Sequence, residues 1–377
     1  MTKPEVPASR IDPTVRDRTR ACLLAGAAGD ALGGAVEFLA LSDIRKRFGA
    51  GGIRDFAPAY GRIGAITDDT QMTLFTAEGM LRAYSRWLGK GICHPPSVIA
   101  NAYLRWLKTQ DEPHPLHGNN PDGWLIRIPE LHALRAPGNT CLSTLREMKS
   151  LGERAANNSK GCGGVMRVAP IGLWFAAEKQ TDPTRELRLH DAFCCGVDAA
   201  AITHGHPSGQ LPAGLFSAVI AQTVHGIALP EALECGIAIL RTHSNHEETL
   251  RAVEHARELA AAFPEPETIP PELGQGWVAE EALAIGLYAA LVTPDLETGV
   301  ILAVNHGGDS DSTGSIAGNL LGAMHGMDAI PARWLKSLEL RQIIEQVADD
   351  LTIAPLLNGD DSDLPGIGDF FERYPGH

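Results

Sequence analysis

Asn305-His-Gly-Gly-Asp-Ser-Asp-Ser-Thr-Gly-Ser315 is the stretch on which the fold and the chemistry of this chain turn. Asp309 and Asp311 stand two apart, with the hydroxyls of Ser310, Ser312 and Thr313 between and after them and glycines on both sides. Such a run suits neither a helix interior nor a strand. The next residues, Ile316 to His325, are small and apolar and read as a helix. Two carboxylates just ahead of a helix start form a compact set of oxygen donors, the kind hard divalent cations such as Mg²⁺ take. Helix capping calls for one Ser, Thr or Asp; it does not account for five in succession.

Working outward, Ile66-Thr-Asp-Asp-Thr-Gln71 repeats the arrangement and opens a strongly periodic run from Met72 to Leu88. Asp68 and Asp69 are thus placed at a second helix N-terminus. Capping and dipole complementarity favour acidic residues there, but two such starts with flanking hydroxyls read as two halves of one metal site. A helical segment from Arg16 to Phe38 contains Gly29-Asp-Ala-Leu-Gly-Gly-Ala-Val-Glu37. On a continuous helix Asp30 and Glu37, seven apart, share a face. Its glycines each cost roughly 1 kcal/mol in an exposed helix, so another backbone or a ligand is expected close by.

Asn157-Asn-Ser-Lys-Gly-Cys-Gly-Gly-Val-Met-Arg167 is a glycine-rich turn whose backbone N–H groups suit a pyrophosphate. It follows no predicted strand, which excludes the dinucleotide and P-loop motifs. Lys160 and Arg167 are either its charges or structural residues. In Thr203-His-Gly-His206 two histidines stand two apart with no third ligand at zinc spacing; a histidine bonding a ligand oxygen and a structural turn are both open readings.

The 377 residues are 44% hydrophobic and 21% charged, enough for a large core. A net charge of −14 argues against nucleic acid or anionic membrane as a partner. The seven cysteines include no Cys-x-x-Cys pair, and Met1 to Arg10 has no apolar stretch of a signal peptide, so a reducing, cytoplasmic setting is expected. Further helices are expected over Ser42–Phe48, Pro95–Leu107, Cys141–Leu151, Asp191–Ile202, Leu215–Ala228, Pro230–Thr242, Glu247–Ala261, Trp277–Val292, Leu296–Asn305 and Trp334–Asp350. Asp360, Asp361 and Asp363 read as a solvated acidic turn. With no alternating strand pattern and no internal repeat, the chain reads as all-α: a flexible tail over residues 1–13, then one compact helical domain over 14–377 with both acidic clusters projecting into one metal cleft.

These segments together resemble the ADP-ribosylglycohydrolase family. The likeness rests on Gly29-Asp-Ala-Leu-Gly with Glu37, Thr67-Asp-Asp-Thr-Gln71, Gly161-Cys-Gly-Gly-Val-Met-Arg167, Thr203-His-Gly-His206 and Gly307-Gly-Asp-Ser-Asp-Ser312, in the family's order across residues 18–325. The resemblance implies two divalent cations, Mg²⁺ or Mn²⁺, held by Thr67, Asp68, Asp69, Asp309, Asp311 and Ser312, the last standing where the family usually has Thr. It implies substrate contacts from Ser159, Gly161, Cys162, Gly163, Gly164, Met166 and His204. Cys162 stands where the family often has Asn. The resemblance also marks Glu37, Asp68 and Asp69 as candidates for the catalytic proton carrier. Some arginine-specific relatives carry an additional Asp in the region of Arg135–Thr144, where this chain has none.

The expected function is metal-dependent removal of ADP-ribose from a modified protein side chain, arginine before serine, by water attack at the ribose anomeric carbon. Two alternatives stand beside it. One is a toxin-neutralising, immunity-type protein of the same fold that binds an ADP-ribosyltransferase. The other takes Asp309-Ser-Asp-Ser-Thr313 as the Asp-x-Asp-x-Thr of an aspartate-nucleophile phosphatase, which needs a preceding apolar strand.

Overall fold

Asp12 opens the fold: its carboxylate accepts the N–H groups of Thr14 at 2.8 Å and Val15 at 3.4 Å, and Pro13 sits at the first helical position. Residues 12 and 13, expected in the tail, therefore belong to a capped helix start. The computed structural model describes residues 11–117, 122–182, 184, 186–264, 267–357 and 367–376. Residues 1–10 of the expected tail and the acidic turn at Asp360, Asp361 and Asp363 lie outside them.

The chain is all-α, as expected. Its helices, in order, are α1 (Pro13–Gly33), α2 (Leu41–Phe48), α3 (Asp68–Lys90), α4 (Pro95–Thr109), α5 (Asn139–Glu147), α6 (Ala169–Glu178), α7 (Leu189–Ala201), α8 (Leu211–Thr223), α9 (Leu229–Leu240), α10 (Glu247–Ala262), α11 (Ala279–Val292), α12 (Leu296–Val304), α13 (Ser310–His325), α14 (Ala332–Ser337), α15 (Arg341–Ile353) and α16 (Ile367–Arg373). Among the described residues the strands are one two-residue hairpin, β1 (Pro58–Ala59) and β2 (Arg62–Ile63), in which Pro58 faces Ile63 and Ala59 faces Arg62. Its loop residues Tyr60 and Gly61 both have positive φ, 50° and 81°, as a tight hairpin turn requires. No described helix is long and apolar enough to cross a membrane.

The site is positioned by α1 against α13. Both are buried along almost their whole length, Ala21 to Gly33 on one and Ser310 to Ala323 on the other. Their backbones meet at glycine. A Cβ on Gly29 would collide with the carbonyl of Gly314, and one on Gly314 would come within 2.6 Å of the Gly29 carbonyl oxygen. This is the close approach that the glycines of α1 announce. Gly29→Ala is expected to destabilise the protein by about 3 kcal/mol through forced separation of the two helices. Urea unfolding checks it, and a loss of only a few tenths would show that the helices part freely.

Several boundaries differ from the sequence reading, each for a local reason. Helix α13 begins at Ser310, not Ile316, so Asp311, Ser312 and Thr313 lie in its first turn. Thr313 Oγ1 donates back to the Asp309 carbonyl at 2.8 Å, so the buried hydroxyl is satisfied inside the first turn. Helix α1 stops at Gly33, so Glu37 comes from the turn beyond it and does not share a helical face with Asp30. Helix α6 is apolar on every side and carries no periodic signal. The single helix expected over Trp334–Asp350 is broken at Leu340, whose φ is 55°. Finally, the segment before Asp309 is helix α12 and not a strand, which removes the phosphatase reading.

Candidate active site

The two acidic helix starts meet. At the head of α3, Thr67 occupies the cap and its Oγ1 accepts the Asp69 N–H at 3.3 Å. Asp68 and Asp69 follow in the first turn. At the head of α13, Asp309 occupies the cap position, yet its carboxylate makes no capping bond and is left for other work. Carboxylate oxygens of Asp68, Asp69 and Asp311 lie within 4.8 Å of one another, as do those of Glu37, Asp309 and Asp311. Asp311 belongs to both groups. All five side chains are buried.

Like charges at this density need a scaffold. Asp30, fully buried beneath them, accepts the N–H of Thr67 at 3.0 Å, the N–H of Thr70 at 3.2 Å and the Thr70 hydroxyl, tying α1 to the start of α3. Gly138 N–H donates to Asp68 Oδ2 at 3.3 Å, and the Cys162 thiol donates to Asp309 Oδ2 at 2.7 Å. The compensation is incomplete. Glu37 Oε2 and Asp69 Oδ2 are buried with no hydrogen-bond partner, which is costly for a carboxylate. The carboxylates line a cavity of about 220 Å³, and among its lining residues there is no Lys or Arg. Excess oxygen donors, orphaned and facing one space, are what a divalent cation requires.

Without a cation the electrostatics oppose ionisation. Burial first, and the charge of Asp311 next, hold Asp68, Asp69 and Asp309 well above the usual carboxylate range. Burial, then Asp311, Asp309 and Asp68, push Glu37 up to about 10. Burial and Asp311 push Asp30 up to about 7, against the hydrogen bonds from Thr70 and Thr67.

The glycine-rich turn forms the opposite wall. Cys162 to Gly164 make one 3₁₀ turn, anchored by Cys162 N–H on the Trp277 carbonyl at 3.2 Å. Gly161, Cys162, Gly163 and Met166 line the cavity, as do His204 and Ser312. Ser159, Gly164 and Thr67 do not. Ser159 Oγ accepts the Gly161 N–H at 3.3 Å and meets Thr140 Oγ1 at 3.0 Å, so it holds the turn from behind. Gly164 backs onto Gly209, whose carbonyl a Cβ would approach to 2.7 Å. Neither cation considered for the turn reaches the cavity. Arg167 is buried, donates to the Ala199 carbonyl at 3.0 Å and Thr203 Oγ1 at 2.6 Å, and lies over the Tyr103 ring. Lys160 pairs with Glu248 and with Glu280.

Of the two histidines, His206 is a turn residue: its Nδ1 accepts the Ser208 N–H at 3.0 Å. His204 lines the cavity. Its Nδ1 lies 2.9 Å from the Thr203 hydroxyl, which already receives a proton from Arg167. Of the two acceptors within reach of that hydroxyl, Nδ1 at 2.9 Å and the Ala200 carbonyl at 3.4 Å, we assign its proton to the nearer Nδ1, which leaves Nε2 as an N–H donor. Burial, then the charge of Arg167, lower the pKa of His204 to about 3, so the ring is neutral.

Ala136, Gly138, Asn139 and Thr140, to which the sequence assigns no role, line the cavity together with Cys141. Arg135 positions them: its carbonyl accepts the Asp68 N–H at 3.1 Å and its guanidinium pairs with Glu339. The signal available was Pro137-Gly138 just before a helix start. Trp277, also unforeseen, lines the cavity and stacks on Phe38 at a centroid distance of 6.2 Å; both are exposed.

A family model described as ADP-ribosylglycohydrolase matches residues 11–361. The chain belongs to the ADP-ribosylglycohydrolase family. This ADP-ribosylglycohydrolase is 27% identical to the ADP-ribosyl-[dinitrogen reductase] glycohydrolase of Rhodospirillum rubrum, over 91% of this chain and 99% of that one. It is 25% identical to the ADP-ribosylarginine hydrolase Tri1 of Pseudomonas putida, over 89% of this chain and 78% of the relative. A solved structure titled "ADP-ribosylglycohydrolase-related protein complex" superposes with a TM-score of 0.63 at 27% identity, covering 90% of this chain and 99% of that one. The helical architecture is the family's, and the activity is hydrolytic removal of ADP-ribose.

Proposed function

We propose that this ADP-ribosylglycohydrolase releases ADP-ribose from a modified protein side chain, arginine in first place, and that it works with two Mg²⁺ or Mn²⁺ ions. The observation that carries the reading is the place of Asp311 in two carboxylate trios at once, with an unpartnered oxygen in each: Asp69 Oδ2 in one and Glu37 Oε2 in the other. Asp68, Asp69 and Asp311 would hold one ion, Glu37, Asp309 and Asp311 the other, with the hydroxyls of Thr67 and Ser312 as added donors. When bound, such ions polarise ribose oxygens and supply an activated water.

The chain's own groups do the remainder. The pyrophosphate is anionic, and among the lining residues there is no Lys or Arg. Its protein partners are accordingly the backbone N–H of the cavity-lining Gly163 in the turn and the neutral His204, whose Nε2–H donates to an oxygen. Bond cleavage passes through an oxocarbenium-like state, which the surrounding carboxylates favour over water. Glu37, Asp68 and Asp69 are the candidates to carry the proton to the leaving group; Glu37, pushed up to about 10 in the absence of cation, has an unpartnered Oε2, as Asp69 has an unpartnered Oδ2. The names of the relatives support arginine as the acceptor. Seven free cysteines fit a reducing, cytoplasmic setting.

The test is release of free ADP-ribose from an arginine-ADP-ribosylated protein by purified enzyme. Activity is expected with Mg²⁺ or Mn²⁺, to vanish in EDTA, and to return on adding either ion. Undiminished release in EDTA would sink the metal reading. Release from serine but not arginine would sink only the acceptor.

A further inference from the structure

A second cluster of metal-binding side chains stands apart from the carboxylate cavity. Donor atoms of His190, Cys194 and His243 lie within 4.8 Å of one another. His190 and Cys194 are one turn apart on α7, four residues along and therefore on one face. Cys194 Sγ is 3.7 Å from His190 Nδ1. Two donors on one tetrahedral Zn²⁺, at bond lengths near 2.0–2.3 Å, are themselves roughly 3.5 Å apart. His243 comes from the turn after α9. Its ring is set by stacking on Phe193, centroid to centroid 4.7 Å, and it faces the His190 ring at 6.3 Å.

One observation is unexplained by packing. His243 Nε2 is buried and has no hydrogen-bond partner. Buried polar atoms of that kind call for an unseen partner. Cys194 is a free cysteine, and His190 is exposed, which gives an approach from solvent.

We propose that His190, Cys194 and His243 form a binding site for one Zn²⁺-class ion, with water in the fourth position. Two imidazoles and a thiolate suit borderline cations such as Zn²⁺ or Co²⁺ and not the oxygen-seeking Mg²⁺. On binding, the Cys194 thiol releases its proton to solvent as the metal–sulfur bond forms, and no redox change occurs. The ion clasps α7 to the turn after α9. Helix α7 leads from this cluster to Ala201, and Thr203 and His204 follow directly after its end, so the clasp steadies the helix that delivers His204 without touching the reacting atoms. The two cation sites of this protein would then differ in donor chemistry.

The test is optical titration of the full-length, metal-stripped protein with Co²⁺. Expected is a thiolate-to-cobalt charge-transfer band that saturates at one ion per chain, is displaced by Zn²⁺, and comes with a higher unfolding temperature. Cys194→Ser should abolish the band and His243→Ala should weaken binding at least tenfold. Asp311→Asn and Cys162→Ser should leave the band in place, which separates this site from the carboxylate cavity. Both cluster variants are expected to unfold, without metal, at the wild-type temperature, so a lost band is not a lost fold. Absence of a charge-transfer band in the wild type, or a band that survives Cys194→Ser and disappears in Cys162→Ser, overturns the proposal.

Discussion

Asp311→Asn is expected to lower turnover by about a thousandfold or more, and at the same time to raise the unfolding temperature of the cation-free protein. The two effects share a cause. Asp311 is the one carboxylate common to both trios, so its loss removes a donor from each proposed ion. Transition-state stabilisation of about 4 kcal/mol corresponds to three decades of rate. Asparagine keeps the shape and can still accept the Ser312 N–H that Asp311 Oδ1 now receives at 3.0 Å. Its charge, however, is among the forces that raise the pKa of Asp30, Glu37, Asp68, Asp69 and Asp309. Removing it relieves that repulsion, a gain on the order of 1–3 kcal/mol when no cation is present. Steady-state kinetics and thermal unfolding in EDTA read the two effects, and Mn²⁺ calorimetry reads the lost donor behind the first. A variant within tenfold of wild-type activity, or one that melts lower in EDTA, would show that Asp311 is not the shared element.

Much of this site was legible before the fold. Asp68, Asp69, Asp309 and Asp311 announce themselves because polar runs ahead of small-residue helices have few structural uses, and the glycines of α1 announce the backbone contact that brings the clusters together. What stayed hidden depends on distances along no single segment. Asp30 looks like a candidate beside Glu37, but its role as the anchor under α3 exists only once Thr67 and Thr70 arrive from another helix. Arg167 resembles a phosphate ligand in sequence, and is instead spent on Thr203 and Tyr103. Trp277 and the 136–140 segment carry no motif; they line the cavity because Cys162 bonds to the carbonyl of Trp277 itself and Asp68 to that of Arg135, next to the segment. His190 and Cys194 show a helical spacing, but His243 lies almost fifty residues on, beyond any spacing rule.

The stability of the cation-free protein is expected to fall as pH rises from 7 to 9, and Mn²⁺ is expected to abolish or reverse that slope. The sign follows from which state holds more protons. Unfolded carboxylates titrate near 4. In the folded protein Glu37 is pushed up to about 10, Asp30 to about 7, and Asp68, Asp69 and Asp309 are raised as well. The folded state thus keeps protons that the unfolded state has lost, and each such proton costs about 1.4 kcal/mol of stability per pH unit. Below pH 6.5 the buried histidines oppose this trend: His204, lowered to about 3, and His306, lowered to about 4, are neutral in the fold and charge on unfolding. Above 6.5 that opposition is gone, so 7 to 9 is the window in which the carboxylates act without it. One retained proton predicts a loss of about 3 kcal/mol across it. Divalent cations bind the deprotonated oxygens, so their affinity rises with pH and their binding energy adds to the folded state. Urea unfolding at pH 7, 8 and 9, in EDTA and in Mn²⁺, gives the two slopes. Equal slopes in both conditions would mean that the cation binds somewhere other than these carboxylates.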